Sequence, residues 1–248
     1  MIKGIFFDLG GTLVSYKNVD RVIKKILSES KKRKETSFSV DELYLFYKEA
    51  SIDVASLFLN KKFYLHKDLF REIFKKYTEY AGITCDPSFL NWFISRHENL
   101  LTESFYLIKN AEKTLLNLRQ KNMILGIVSN IDSHMLNKII LNTQLYKMID
   151  FKISSEFAQS CKPNRRIFEL AREKAKLDNS ELLFVGDSIE HDIIGSKNFG
   201  IKNVLFCEKN MKAPLQSGNH KEKPNYKIQD LLELGPLIDN LNREQCDR

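Results

Sequence analysis

Four short apolar runs in this chain each give way to a polar residue at their C-terminal end. They are Ile5-Phe6-Phe7, stopping at Asp8; Ile124-Leu125-Gly126-Ile127-Val128, stopping at Ser129-Asn130; Phe151-Lys152-Ile153-Ser154, leading into a loop that holds Lys162-Pro163; and Leu182-Leu183-Phe184-Val185, stopping at Gly186-Asp187. Short apolar runs bounded by turn residues read as buried strands. Helical spacing recurs over about 111–121, 133–142 and 167–176, then again in a segment closed near Gly200, and 203–207 reads as a fifth strand. Strands alternating with helices predict right-handed crossovers and a parallel sheet covered on both faces. The expected fold class is therefore α/β, a doubly wound, Rossmann-like parallel sheet of five strands.

Between the first strand and the rest lies a long segment of different character. Val19, Val22, Ile23, Ile26 and Leu27 recur at helical spacing. Ser39-Val40-Asp41-Glu42 is a capping box that starts a second helix. A third covers about 67–80 and ends near Gly82, and Asp86-Pro87 supplies an N-cap and a first-turn proline for a fourth. The aromatic residues of this segment, Trp92 and Phe93 among them, are expected to form its own core. The predicted organisation is an α/β domain from 1–15 and 105–248 with a helical insert at 16–104. The basic run Lys31-Lys32-Arg33-Lys34 reads as a solvated helix end. The polar stretch 208–227 reads as a long loop, and a closing helix is expected over about 229–241.

Composition narrows the partners. The 248 residues carry 39 basic and 32 acidic side chains, a net charge of +7, which favours anionic ligands. There is no zinc spacing and no RNA-binding aromatic signature, so nucleic acid is not an expected partner. No apolar run approaches the roughly 18 residues of a membrane span, so no membrane partner is expected. Asp8 breaks the first apolar run too early for a signal peptide. The four cysteines, Cys85, Cys161, Cys207 and Cys246, are widely spaced, which predicts reduced thiols and a cytoplasmic location.

Parallel strands put their C-terminal ends on one edge of the sheet, where ligands bind in open α/β folds. Asp8, Ser129, Lys162 and Asp187 stand at or just beyond four such ends, so their side chains can converge. One carboxylate can attack an electrophile, a hydroxyl with nearby main-chain N–H groups can hold a phosphoryl oxygen, and a lysine can neutralise developing charge. A second carboxylate can bind Mg²⁺, which prefers oxygen ligands and substrate phosphates. Asp192, in the first turns of the next helix, is near enough in sequence to join that metal site.

At these residues the chain resembles the haloacid dehalogenase superfamily. Asp8-Leu9-Gly10-Gly11-Thr12 is similar to its first motif, Ser129-Asn130 to its second, Lys162-Pro163 to its third, and Gly186-Asp187-Ser188 with Asp192 to its fourth. The insert resembles the family's helical cap in the first position. The resemblance implies a Mg²⁺-dependent hydrolase, a phosphatase of a small phosphorylated metabolite. Asp8 would be the nucleophile that forms an aspartyl-phosphate, with Lys162 as its catalytic partner. Gly11, Thr12, Ser129, Asn130 and Lys162 would bind substrate. Asp8, the Gly10 carbonyl, Asp187 and Asp192 would hold the metal. Family phosphatases usually carry an acid–base aspartate where this chain has Gly10. Three outcomes stay open at this stage. The enzyme prefers good leaving groups; it borrows an acid, with His66 and His97 as candidates in the insert; or hydrolysis is very slow and the protein is a phosphoryl-binding module. A family member cleaving another bond, as dehalogenases and phosphonatases do, is a further alternative.

Overall fold

A computed structural model describes residues 1–58, 61–207 and 222–246. The chain divides into two compact units, Met1–Tyr16 with Tyr106–Arg248, and Lys17–Phe105. The chain begins with β1 (Gly4–Phe7) and then enters the second unit, made of α1 (Val19–Arg33), α2 (Val40–Phe58), α3 (His66–Tyr80) and α4 (Pro87–Ser104).

This helical unit forms where its end signals say it should. Ser39 and Glu42 make the reciprocal capping box at the start of α2, with Ser39 N donating to Glu42 Oε2 at 2.8 Å. Asp86 accepts from Phe89 N at 2.9 Å, capping α4 ahead of Pro87. The apolar faces meet in an aromatic core in which Phe74 stacks on Phe93 at 3.8 Å and Tyr47, Tyr77 and Phe89 close around them. Burying each such ring is worth about 1.5–3 kcal/mol. His97 belongs to this core: it is 2% exposed and packs on Phe70 and Phe93. The basic end of α1 is tied down, Lys34 to Asp86 at 2.6 Å and Arg33 over the Trp92 ring.

The other unit resumes with α5 (Ala111–Gln120), β2 (Ile124–Ser129), α6 (Ser133–Asn142), β3 (Phe151–Ser154), the short α7 (Ser155–Ala158) and α8 (Arg165–Ala175). β4 (Leu182–Gly186) follows, then a single π-helical turn at Ile189–Ile193 that continues as α9 (Ile194–Phe199), β5 (Lys202–Phe206), β6 (Tyr226–Ile228) and α10 (Leu234–Cys246). The sheet order is β3-β2-β1-β4-β5-β6, with every neighbouring pair parallel. β1 is fully buried and paired along its length on both sides, which suits its unbroken apolar sequence.

The sheet has six strands among the described residues, one more than the sequence pattern predicts. The extra strand, β6, covers three residues at the end of the stretch expected to be a loop, and only Ile228 in it is buried. So short an edge strand leaves no apolar signature. Most of 208–227 lies outside the described residues. The closing helix begins at Leu234 rather than near Gln229, because Asp230 and Glu233 form a capping box around a preceding 3₁₀ turn. No helix among the described residues is long and apolar enough to cross a membrane.

Candidate active site at the strand ends

Strand order decides where the functional side chains meet. The chain runs from β1 outward to β2 and β3, then crosses back to β4 on the other side of β1. That reversal makes a crevice at the C-terminal ends of β1 and β4. Asp8 N donates to Val185 O at 2.9 Å, so pairing continues one residue past β1 and sets Asp8 beside the residues that follow β4. Parallel neighbours lie about 4.8 Å apart, and Asp187 follows β4 directly. The Asp8, Asp187 and Asp192 side chains each offer a carboxylate oxygen within 4.8 Å of the others.

Asp192 reaches the crevice from the π-helical turn. Ser188 caps that turn, its Oγ accepting from His191 N at 3.1 Å, and its own N–H donates to Asp192 Oδ2 at 3.0 Å. Lys162 enters from the loop beyond β3 and α7. Its Nζ is 2.6 Å from Asp8 Oδ1 and 2.6 Å from Asp192 Oδ1, and the residue is 3% exposed. Asn130 holds that loop in place. Its amide donates to Lys162 O at 3.0 Å and accepts from Lys162 N at 2.7 Å. The Asn130 side chain, expected to bind substrate, is thus spent on the Lys162 backbone. Ser155 ties the same two loops, accepting from Ile131 N at 3.0 Å.

The remaining expected residues line the first and second strand ends. Ser129 is the last residue of β2 and is buried. Gly11, with φ of +74°, turns the chain after β1, and Leu13 N and Val14 N return to Leu9 O. Thr12 is fully buried, and its hydroxyl has no hydrogen-bond partner among the described residues. Tyr16, which the sequence pattern assigns to the helical insert, belongs to this neighbourhood, and its ring lies against Gly10 and Gly11. Nothing in spacing marks it; only its place shortly after the first motif could have drawn attention. Ser188 was visible beside Asp187, but its capping of the Asp192 turn was not.

The electrostatics follow from crowding. Burial pushes the Asp192 carboxyl up to about 6, with Asp8 adding repulsion and Lys162 opposing it. Burial, Asp8 and Asp192 hold Asp187 well above the usual carboxylate range. Burial alone would discharge Lys162, but the charges of Asp192 and Asp8 hold its pKa up at about 12. Lys162 pairs with Asp8 and Asp192, and Asp187 adds a third carboxyl to the cluster, a set of oxygen donors that suits a hard divalent ion.

Known proteins resemble this chain over most of its length. The model of the haloacid dehalogenase-like hydrolases matches residues 2–200. The chain is 30% identical to the glyceraldehyde 3-phosphate phosphatase of Pyrococcus furiosus over 245 residues, covering 98% of this chain and 94% of that one. It is 23% identical to the enzyme of the same name from Methanocaldococcus jannaschii, covering 98% and 100%. Among solved structures, the magnesium-bound HAD hydrolase YfnB from Bacillus subtilis superposes with a TM-score of 0.77 at 21% identity, covering 95% of this chain and 98% of that one. The L-2-haloacid dehalogenase of Xanthobacter autotrophicus superposes with a TM-score of 0.71 at 20% identity, covering 96% and 99%. The match to the family over four-fifths of the sequence and the full-length likeness to its phosphatases agree with the geometry at the strand ends: the chain belongs to the haloacid dehalogenase-like hydrolases.

Proposed function

We propose that this hydrolase is a magnesium-dependent phosphatase of a small phosphorylated metabolite, working through an aspartyl-phosphate on Asp8. The observation that carries the reading is the convergence of three carboxylates on two adjacent strand ends around a buried lysine. The full-length likeness to glyceraldehyde 3-phosphate phosphatases supports a compact phosphate monoester as substrate.

Lys162 engages Asp8 Oδ1, which leaves Oδ2 as the attacking atom. Attack on phosphorus forms the Asp8–phosphorus bond and breaks the bond to the ester oxygen, which departs with its electron pair. Water then attacks phosphorus, freeing inorganic phosphate and restoring Asp8. Lys162, the Ser129 hydroxyl and the main-chain N–H of Asn130 would be the donors for the phosphoryl oxygens. Gly11, whose N–H is committed to Val14 O at 2.7 Å, and Thr12 would shape the turn that the phosphoryl group meets rather than donate to it from the Gly11 main chain. Asp8, the Gly10 carbonyl, Asp187 and Asp192 would hold Mg²⁺, which supplies positive charge to the phosphoryl oxygens when bound. Asp192 is anchored at both oxygens, Oδ2 by Ser188 N and Oδ1 by Lys162 Nζ, so it would meet such an ion as a pre-positioned carboxylate. The helical unit would act as the cap that selects the substrate.

The reading is tested with p-nitrophenyl phosphate and Mg²⁺. Wild type should release nitrophenol and lose that activity with EDTA, and Asp8→Asn should abolish it. Activity retained in Asp8→Asn removes Asp8 as the nucleophile.

A further inference from the structure

Gly10 brings no side chain to the site, and a residue from just beyond the first motif covers the place one would take. The backbone that leads to Tyr16 is held against the Gly10 turn. Val14 bridges to both Gly10 and Leu107, and Ser15 N donates to Tyr106 O at 3.0 Å. Tyr16 then folds back over the turn. A Cβ at Gly10 would fall 2.7 Å from Tyr16 Cζ and 2.9 Å from Cε1, and closer still to the hydroxyl. A Cβ at Gly11 would fall 2.8 Å from Cε2 on the other edge of the ring. The ring therefore lies across both glycines with its hydroxyl at the Gly10 end. Any larger residue at position 10 would have to displace it.

We propose that the Tyr16 hydroxyl is the hydrogen-bond donor to the substrate's leaving-group oxygen, occupying the space that glycine opens at position 10. The inference rests on the phosphatase reading above. As Asp8 attacks, negative charge builds on the ester oxygen while its bond to phosphorus lengthens. The Tyr16 O–H points a neutral donor at that charge, and the departing oxygen leaves as the alcohol with a proton drawn from solvent. A donor of this kind matters most where the leaving group cannot spread its own charge. An alkoxide needs it; a nitrophenolate delocalises its charge and does not.

The test is leaving-group dependence. Wild type, Tyr16→Phe and Gly10→Ala are compared on p-nitrophenyl phosphate and on the alkyl phosphate that wild type hydrolyses fastest in a panel of small monoesters, all with Mg²⁺. Tyr16→Phe keeps the ring and removes only the hydroxyl. Its kcat/KM should fall about 10- to 100-fold further on the alkyl ester than on the aryl ester, within the range of a lost general acid or oxyanion donor. Gly10→Ala, which forces the ring aside, should show the same bias. Equal losses on both esters would reveal a merely structural tyrosine and overturn the proposal, as would no loss. Turnover of the aryl ester by a wild type that hydrolyses no alkyl phosphate would overturn it too while leaving the phosphatase reading intact. Failure of wild type on every ester would overturn both.

Discussion

The two units bury ionisable groups in opposite ways. In the helical unit His97 is enclosed by Phe70 and Phe93, and burial pulls its pKa down to about 4, so it is neutral at pH 7. In the α/β unit Lys162 is as deeply enclosed, yet Asp192 and Asp8 keep it charged, with a pKa of about 12. Burial outweighs the one nearby carboxylate of Glu98 and discharges His97, whereas two carboxylates at 2.6 Å keep Lys162 charged. The first interior is built for packing. The second holds charge that packing alone would expel, and a stability argument does not account for it. His97 is thus a core residue of its unit, which argues against it as the borrowed acid considered from sequence.

The sharpest way to break this contrast is to remove Lys162. Lys162→Met should destabilise the metal-free protein by about 3–5 kcal/mol, because it leaves Asp8 and Asp192 buried without their cation. Turnover should fall about 10²–10³-fold, the usual cost of losing one transition-state donor. Chemical denaturation in EDTA and p-nitrophenyl phosphate kinetics read the two effects. A change in stability below about 1 kcal/mol would mean that the charges are solvated rather than paired.

A smaller effect separates the units by pH. Asp192 has a folded pKa of about 6 against an ordinary 3.8, so ionising it costs native stability. In metal-free protein that contribution is lost as pH rises from about 3.8 to about 6, and Asp187 acts in the same direction. Mg²⁺ should reverse the loss, since it binds the ionised carboxylates. A metal-free stability that declines less steeply over this interval in Asp192→Asn than in wild type would assign the effect, the remaining slope belonging to Asp187. The same slope in both would remove it.

The smallest effect comes from the helical unit and has the opposite sign. His97 has a folded pKa of about 4, below its ordinary 6.5, so its contribution is complete above pH 6.5 and lost as pH falls toward 4. His97→Leu, a substitution of similar volume in an apolar core, should change stability at pH 7 by less than about 1.5 kcal/mol. It should also make the acid side of the metal-free stability curve less steep, as denaturant titrations from pH 4 to 7 would show. A large loss at pH 7 would mean that the imidazole does more than fill space.

Much of this was legible in the order of residues. Ile5-Phe6-Phe7 and Leu182 to Val185 read as buried strands, and they are the two central strands that carry Asp8 and Asp187. The capping signals at Ser39 and Asp86 opened helices as expected. β6 was not legible, because three residues on an edge need no apolar pattern. Nor was the use of Asn130, since an amide after a strand looks the same whether it faces a ligand or clamps the Lys162 backbone.

What the sequence determined alone is the set of strand ends and the polar group standing at each, because period, turn residues and caps act between neighbours along the chain. Only the tertiary structure decided that Lys162 bridges Asp8 and Asp192 and that the Tyr16 ring lies on Gly10. Those contacts depend on strand order and on loops folding back through space, and no local pattern records a distance between groups that the sheet brings together.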